Sequence, residues 1–179
     1  LFCCDTVFQD GGMMAPRLVG ETIIKGAQRG IKKLFLTGGE PTIHPDFINF
    51  IILARRLGYD RIQAITNGRM FFYEEFASRA IEAGLSEVTF SINSMREKTH
   101  DRLVGSRGAF SQAMKGFSNV LAAGGCSVNV NVLVTSLNYA EMSAMPKYFK
   151  RLGARSMDFL LVAPAGIPRD RSDCKLQPD

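Results

Sequence analysis

The 179-residue sequence lacks any uninterrupted run approaching the roughly 18 apolar residues that a membrane-spanning helix needs. It also lacks a basic N-terminal region followed by an apolar stretch and a cleavage site. These two absences predict a chain without a membrane partner and with a cytoplasmic location.

A concentrated basic region with aromatic residues between its charges is also missing. The net charge of +5 comes from 22 Lys and Arg against 17 Asp and Glu, and the only denser basic patch is Arg169, Arg171 and Lys175. Because no aromatic residue interleaves with that patch, a solvated surface is favoured over a nucleic-acid site. We therefore expect no nucleic-acid partner.

Cysteine is scarce, and its spacing does not suggest a disulfide framework. Cys3 and Cys4 are adjacent, whereas Cys126 and Cys174 are isolated. This usage favours a reducing compartment, with Cys126 expected as a core thiol and Cys174 as an exposed one. The chain also lacks an initiator Met, so we expect that sequence upstream of Leu1 is missing.

Short runs rich in β-branched and aliphatic residues alternate with segments of helical periodicity. The five predicted strands are residues 33–37, 61–66, 87–92, 127–134 and 157–162. Strict alternation of this kind predicts an α/β fold with a parallel sheet, because a crossover helix returns the chain to lay the next strand alongside. We expect one core domain over residues 1–167, followed by a charged tail or linker over residues 168–179.

Small and polar residues stand at the carboxyl ends of these strands, the edge at which parallel α/β folds bind ligands. The first strand runs into Gly38, Gly39, Glu40 and Pro41, where glycines permit close backbone approach and the carboxylate can pair with an ammonium group. The later strand ends carry hydrogen-bonding side chains suited to hydroxyls and a carboxylate: Thr66, Asn67, Ser91, Asn93 and Asn131. Each could be a polar turn, but their recurrence at successive strand ends favours a binding site.

The order of these elements resembles the radical S-adenosylmethionine superfamily. The shared order is a cysteine loop, a helix, and strands ending in Gly-Gly-Glu-Pro, Thr-Asn-Gly and Ser-x-Asn. Within this superfamily, the sequence is most similar to the branch that contains the molybdenum-cofactor cyclase and peptide-modifying enzymes. The similarity lies in residues 100–105 and 108–110, in Asn131, and in Pro164 with Gly166. The resemblance extends from residue 1 to about residue 166.

The resemblance implies a partial (β/α)6 barrel whose first strand is missing from this chain. It also implies a 4Fe-4S cluster held by three cysteines, of which Cys3 fits the third and the other two would precede Leu1. Cys4 is a poor substitute, because adjacent cysteines do not ordinarily reach two irons of one cluster.

The implied activity is the reductive cleavage of S-adenosylmethionine, which yields a 5′-deoxyadenosyl radical that abstracts hydrogen from a substrate. Glu40 would pair with the cofactor's amino group, Gly38 and Gly39 would lie against its methionine part, and Ser91, with Asn93 and Thr66, would bind its carboxylate or ribose. An electron donor such as ferredoxin or flavodoxin is implied as a partner. The sequence does not identify the substrate, which is expected to be a small molecule or a peptide.

Two other functions stay open at this stage. A lyase or aldolase on an ordinary α/β barrel is disfavoured, because no strand-end lysine and no carboxylate–histidine metal set is present. A degenerate scaffold that binds a ligand without radical chemistry is the other alternative. His44 is expected to be a turn residue, and His100 is expected in a long loop with a structural role.

Overall fold

The computed structural model describes residues 12–161. The strands are β1 (Lys33–Leu36), β2 (Arg61–Thr66), β3 (Glu87–Ser91), β4 (Ser127–Val134) and β5 (Ser156–Leu161). The α-helices are α1 (Pro16–Gln28), α2 (Phe47–Arg56), α3 (Glu74–Glu82), α4 (Glu97–Val104), α5 (Ala109–Ala123) and α6 (Met145–Arg151). Short 3-10 turns follow β1, β2 and β4 at Pro41–Ile43, Met70–Phe72 and Tyr139–Glu141. Between residues 12 and 161 no helix has the length and apolar character to cross a membrane.

The five strands form one parallel sheet in the order in which they occur along the chain. Successive parallel strands joined by right-handed crossovers place all their helices on one face of the sheet. The result is an arc of a β/α barrel, and the predicted α/β class with parallel strands is confirmed.

The core lies between the sheet and the helices, because strand side chains alternate between the two faces. On β4, Val128, Val130 and Val132 are buried against the helix layer, whereas Asn129 and Asn131 point to the concave face. Helix α5 contributes Phe117 and Val120 to the core. The sheet thus has an apolar convex face, and its concave face carries both polar side chains, such as Asn129 and Asn131, and apolar ones, such as Phe35 and Leu160.

Helix α5 packs unusually close to the loop that follows β2. A Cβ added at Gly116 would collide with the carbonyl oxygen of Gly68 and would lie 3.0 Å from the Cβ of Phe71. Nearby, the Asn119 side-chain amide donates hydrogen bonds to the carbonyl oxygens of Phe71 and Phe72 at 3.0 and 2.9 Å. This packing holds the end of β2 in place at the ligand-binding edge.

The strand bounds differ from the predictions by one residue in three places. β1 ends at Leu36, β3 ends at Ser91 and β5 begins at Ser156, while residue 162 lies outside the described range. The prediction that His100 lies in a loop is wrong, because His100 is a buried residue of α4. Helix α4 is short and strongly polar, so few apolar residues in the sequence indicate it, and buried contacts of His100 and Leu103 stabilise it.

Candidate functional site

Eight of the nine residues proposed to bind the cofactor lie at or just beyond the carboxyl ends of β1 to β3, and the ninth, Asn131, lies within β4. Leu36 pairs with Ala64, Thr66 pairs with Phe90, and Ser91 pairs with Asn131. The parallel register therefore brings Gly-Gly-Glu-Pro, Thr-Asn and Ser-x-Asn to one edge of the concave face.

The turn after β1 provides open space above its backbone. Gly38 has a φ of +130°, a conformation that side-chain-bearing residues rarely adopt, and a Cβ built there would meet nothing within 4 Å. Gly39 is exposed, and Pro41 begins the 3-10 turn that leads away from the edge. A ligand can thus lie directly on the backbone of residues 38 and 39.

Glu40 ties the ends of β1 and β2 together through a set of contacts that we name the Glu40 clasp, formed by Glu40, Thr42, Thr66 and Asn67. Oε1 of Glu40 accepts hydrogen bonds from Thr42 N at 3.2 Å, Thr42 Oγ1 at 2.5 Å and Thr66 Oγ1 at 2.6 Å. Oε2 accepts one bond, from Asn67 N at 2.7 Å. The carboxylate is therefore oriented with one oxygen saturated and the other capable of accepting a further bond.

Thr66 and Asn67 are themselves held in place by further hydrogen bonds. Thr66 is 2% exposed, and its hydroxyl also accepts a hydrogen bond from Gly68 N at 3.0 Å. The Asn67 side-chain oxygen accepts from Arg69 N at 2.9 Å. Sequence reasoning missed Thr42, although its position two residues after Glu40 is the spacing at which a side chain can bond a neighbouring backbone N–H.

Ser91 and Asn131 face the concave side at paired positions of β3 and β4. Both are partly exposed, and neither side chain has a hydrogen-bond partner within residues 12–161. Polar side chains in such positions are available to a ligand.

Asn93, in contrast, joins the end of β3 to the end of β4. Its Oδ1 accepts a hydrogen bond from Leu133 N at 2.9 Å, and its backbone N donates to Nδ1 of His100 at 3.1 Å. The side-chain amide of Asn138 donates to the carbonyl oxygens of Asn93 and Leu133, at 2.6 and 2.8 Å. Asn93 is thereby positioned to set the spacing between the strands that carry Ser91 and Asn131.

A second polar contact holds the loop after β3 against the turn after β4. Glu141 is 4% exposed and accepts hydrogen bonds from Ser94 Oγ at 2.8 and 2.9 Å and from Met95 N at 2.8 Å. The Arg96 side chain lies 3.7 Å from the same carboxylate. Sequence reasoning missed Glu141, because its partners lie about 46 residues earlier and no local pattern connects them.

Two titratable groups near the sheet have shifted pKa values. Burial lowers the pKa of His100 below its ordinary 6.5, and the nearby charge of Asp101 only partly opposes this. Burial raises the pKa of the Cys126 thiol to about 12, with Glu87 adding to the effect. Cys126 is therefore protonated at neutral pH, as expected for a core thiol.

The other histidine acts within a turn, as predicted. His44 Nδ1 accepts a hydrogen bond from Asp46 N at 3.0 Å, and its Nε2 lies 3.1 Å from the carbonyl oxygen of Met14. Over the described range, no group of three or more His, Cys, Asp or Glu side chains could hold a metal ion. Cys3, the predicted cluster ligand, lies outside that range, as does Cys174.

Comparisons with known proteins agree with this architecture. The family model described as the radical SAM superfamily matches residues 1–148. A probable GTP 3',8-cyclase of Methanopyrus kandleri is 32% identical over 141 residues, which is 78% of this chain and 44% of that protein. A probable GTP 3',8-cyclase of Saccharolobus solfataricus is 27% identical over 138 residues, 77% of this chain and 44% of that protein.

Solved structures share the fold at low sequence identity. Native anSMEcpe with bound AdoMet and Cp18Cys peptide has a TM-score of 0.76 and 19% identity, covering 99% of this chain and 52% of that one. Methylornithine synthase has a TM-score of 0.69 and 14% identity, covering 92% of this chain and 49% of that one. The chain thus spans about half the length of the relatives it matches.

Proposed function

The chain belongs to the radical SAM superfamily, and from this membership we propose that it is the part of an enzyme that binds S-adenosylmethionine for reductive cleavage. The family uses a 4Fe-4S cluster together with this cofactor. The proposal extends to an electron donor such as ferredoxin or flavodoxin and to a small-molecule substrate.

The orientation of the Glu40 carboxylate is the observation that carries the proposal. Three donors hold Oε1, two from Thr42 and one from Thr66, and these two residues are each 2% exposed. Oε2 has a single donor, the backbone N of the exposed residue Asn67. An ammonium group placed there would gain a charge-assisted hydrogen bond from a carboxylate that is already fixed in direction.

The remaining residues of the edge complete a cradle for the cofactor. The backbone of Gly38 and Gly39 would lie against the methionine part, because a Cβ at Gly38 would meet nothing within 4 Å and Gly39 is exposed. Ser91 would donate a hydrogen bond to the carboxylate or the ribose, and Asn131 would donate one to the ribose. Thr66, Asn67 and Asn93 would position these groups, since their polar atoms already bond within the protein.

The described residues thus fit the cofactor that the family uses, with Cys3 as the proposed cluster ligand. When bound, the cluster and S-adenosylmethionine supply a one-electron cleavage that leaves a 5′-deoxyadenosyl radical for hydrogen abstraction. This chain's residues would bind and orient the cofactor at the sheet edge.

The test uses the full-length natural protein, purified anaerobically and reconstituted with iron and sulfide. After reduction with S-adenosylmethionine present, we expect 5′-deoxyadenosine from the parent protein and none from Cys3→Ala, which should also lose bound iron and sulfide. Cys126→Ala is the matched control, because its protonated thiol lies in the helix-packed layer, and it should retain both properties.

Other outcomes would support the alternatives. A parent protein that keeps its cluster but forms no 5′-deoxyadenosine would support a degenerate scaffold. Equal loss of iron from Cys3→Ala and Cys126→Ala would contradict the assignment of Cys3 as a ligand.

A further inference from the structure

The concave face of the sheet carries several polar side chains, and those toward the amino ends of the strands form hydrogen bonds and an ion pair with one another. Arg61 on β2 forms an ion pair with Glu87 on β3. Further along the strands, Gln63 Nε2 donates to Thr89 Oγ1 at 2.7 Å, and Ser156 Oγ donates to Asn129 Oδ1 at 2.9 Å. Through these cross-strand contacts, the polar side chains already have partners within the protein and do not require a ligand.

The next row toward the carboxyl ends differs. Ser91, Asn131 and Asp158 pair in register across β3, β4 and β5, and we name them the Asp158 row. Asp158 lies on the concave face, because Ser156 two residues earlier bonds Asn129 there and the intervening Met157 packs against the core. Asp158 is exposed, and no ion pair or side-chain hydrogen bond engages this row within residues 12–161.

The basic residues of the described strands lie at the amino ends of those strands. Among the strands of the described range, residues 12–161, the only basic residues are Lys33 and Arg61. Each is the first residue of its strand, and Arg61 is paired with Glu87. In the carboxyl half of the concave face, no Lys or Arg of a described strand therefore neutralises the negative charge of Asp158. Neighbouring strands lie about 4.8 Å apart, so a ligand that contacts Asn131 also lies next to Asp158.

We propose that Asp158 is a specificity-determining residue that accepts hydrogen bonds from a cationic nitrogen of the substrate, an amine or guanidine-type group, with Asn131 beside it. This inference rests on the proposed function and concerns the substrate of the same site. A carboxylate in this row attracts a cationic nitrogen and repels phosphate. The proposed substrate is cationic, whereas the names of the GTP 3',8-cyclases to which the chain is similar specify an anionic nucleotide.

The experiment measures 5′-deoxyadenosine formation by the full-length reconstituted protein with S-adenosylmethionine and a reductant. The probes are GTP and a small-molecule cell extract divided by ion exchange into cationic, neutral and anionic fractions. We expect the cationic fraction to stimulate the parent protein and GTP to have no effect. Asp158→Asn should require about tenfold to a hundredfold more of the cationic fraction, the loss expected when a hydrogen bond loses its charged acceptor, and Asp158→Glu should recover part of the response.

Asp60→Asn is the matched control, because Asp60 is exposed and precedes β2 at the opposite end of the sheet, and it should respond as the parent does. Stimulation by GTP, by the anionic or neutral fraction, or by no fraction would overturn the assignment. So would equal responses of the parent and Asp158→Asn. Absence of 5′-deoxyadenosine from the parent under every condition would instead overturn the proposed function.

Discussion

Replacing Glu40 by Gln tests whether this carboxylate binds the cofactor or only joins two strands. The amide can place its oxygen where three donors converge, which keeps the bonds from Thr42 and Thr66. Its NH2 group then faces Asn67 N, where two donors meet and the existing hydrogen bond is lost. The same NH2 group would face the ammonium of S-adenosylmethionine.

The two effects of this change have separate magnitudes. A hydrogen bond to a charged group contributes about 1.5–3 kcal/mol, and loss of the bond from Asn67 N should lower the free energy of unfolding toward the lower end of that range, because water reaches this partly exposed site. Loss of the bond to the ammonium should weaken cofactor binding by about tenfold to a hundredfold. The cluster should survive, since Glu40 is not one of its proposed ligands.

Thr66→Val separates the two roles of Glu40. Valine removes a donor to Oε1 and the acceptor for Gly68 N but leaves Oε2 untouched, so it should lower stability with little loss of cofactor affinity. The assay is urea unfolding of each variant together with equilibrium binding of S-adenosylmethionine to the full-length protein. Glu74→Gln, on the exposed first turn of α3, should change neither quantity by much.

The reasoning would be refuted if Glu40→Gln and Thr66→Val lowered affinity in the same proportion as stability, because the clasp alone would then explain both. It would also be refuted if Glu40→Gln bound the cofactor as tightly as the parent protein.

Two further predictions concern stability. Burial lowers the pKa of His100 below 6.5, so the unfolded chain takes up a proton at this residue at a higher pH than the folded chain does. The contribution of neutral, buried His100 to the free energy of unfolding is therefore complete above about pH 6.5 and declines as the pH falls below it. Urea unfolding over this range should show that decline, and His100→Gln should reduce its slope; an unchanged slope would contradict the assignment. Gly116→Ala should lower the free energy of unfolding by about 1–3 kcal/mol, because the new methyl group collides with the Gly68 carbonyl. Gly20→Ala on α1 is its control, since a Cβ there makes an ordinary 3.8 Å contact with Leu53, and it should be neutral or stabilising by up to about 1 kcal/mol; equal thermal unfolding of the two variants would disprove the close packing of α5.

Several features of this protein follow from local sequence patterns. The α/β class, the five parallel strands and the site at their carboxyl ends are all visible as short apolar runs followed by polar or glycine-rich turns. These patterns are informative because the side-chain period of a strand or helix involves only neighbouring residues. The Gly-Gly-Glu-Pro turn is likewise local, and its position after β1 agrees with the prediction.

The partners of individual side chains were decided only by the tertiary structure. The strand register brings Thr66 to Glu40 across 26 residues, so that the Thr66 hydroxyl donates to the Glu40 carboxylate. Asn93 bonds Leu133, 40 residues further on, for the same reason. His100 lies in a short helix with few apolar residues, and this helix buries His100 and Leu103 against the rest of the fold.

Asp158 shows both the information in the local sequence and the information that only the tertiary structure supplies. The sequence by itself determined that residue 158 belongs to a strand, since the apolar run around it has the composition of one. Only the pairing of β4 with β5 placed its carboxylate in line with Asn131 and Ser91, because register is set between strands and not within one.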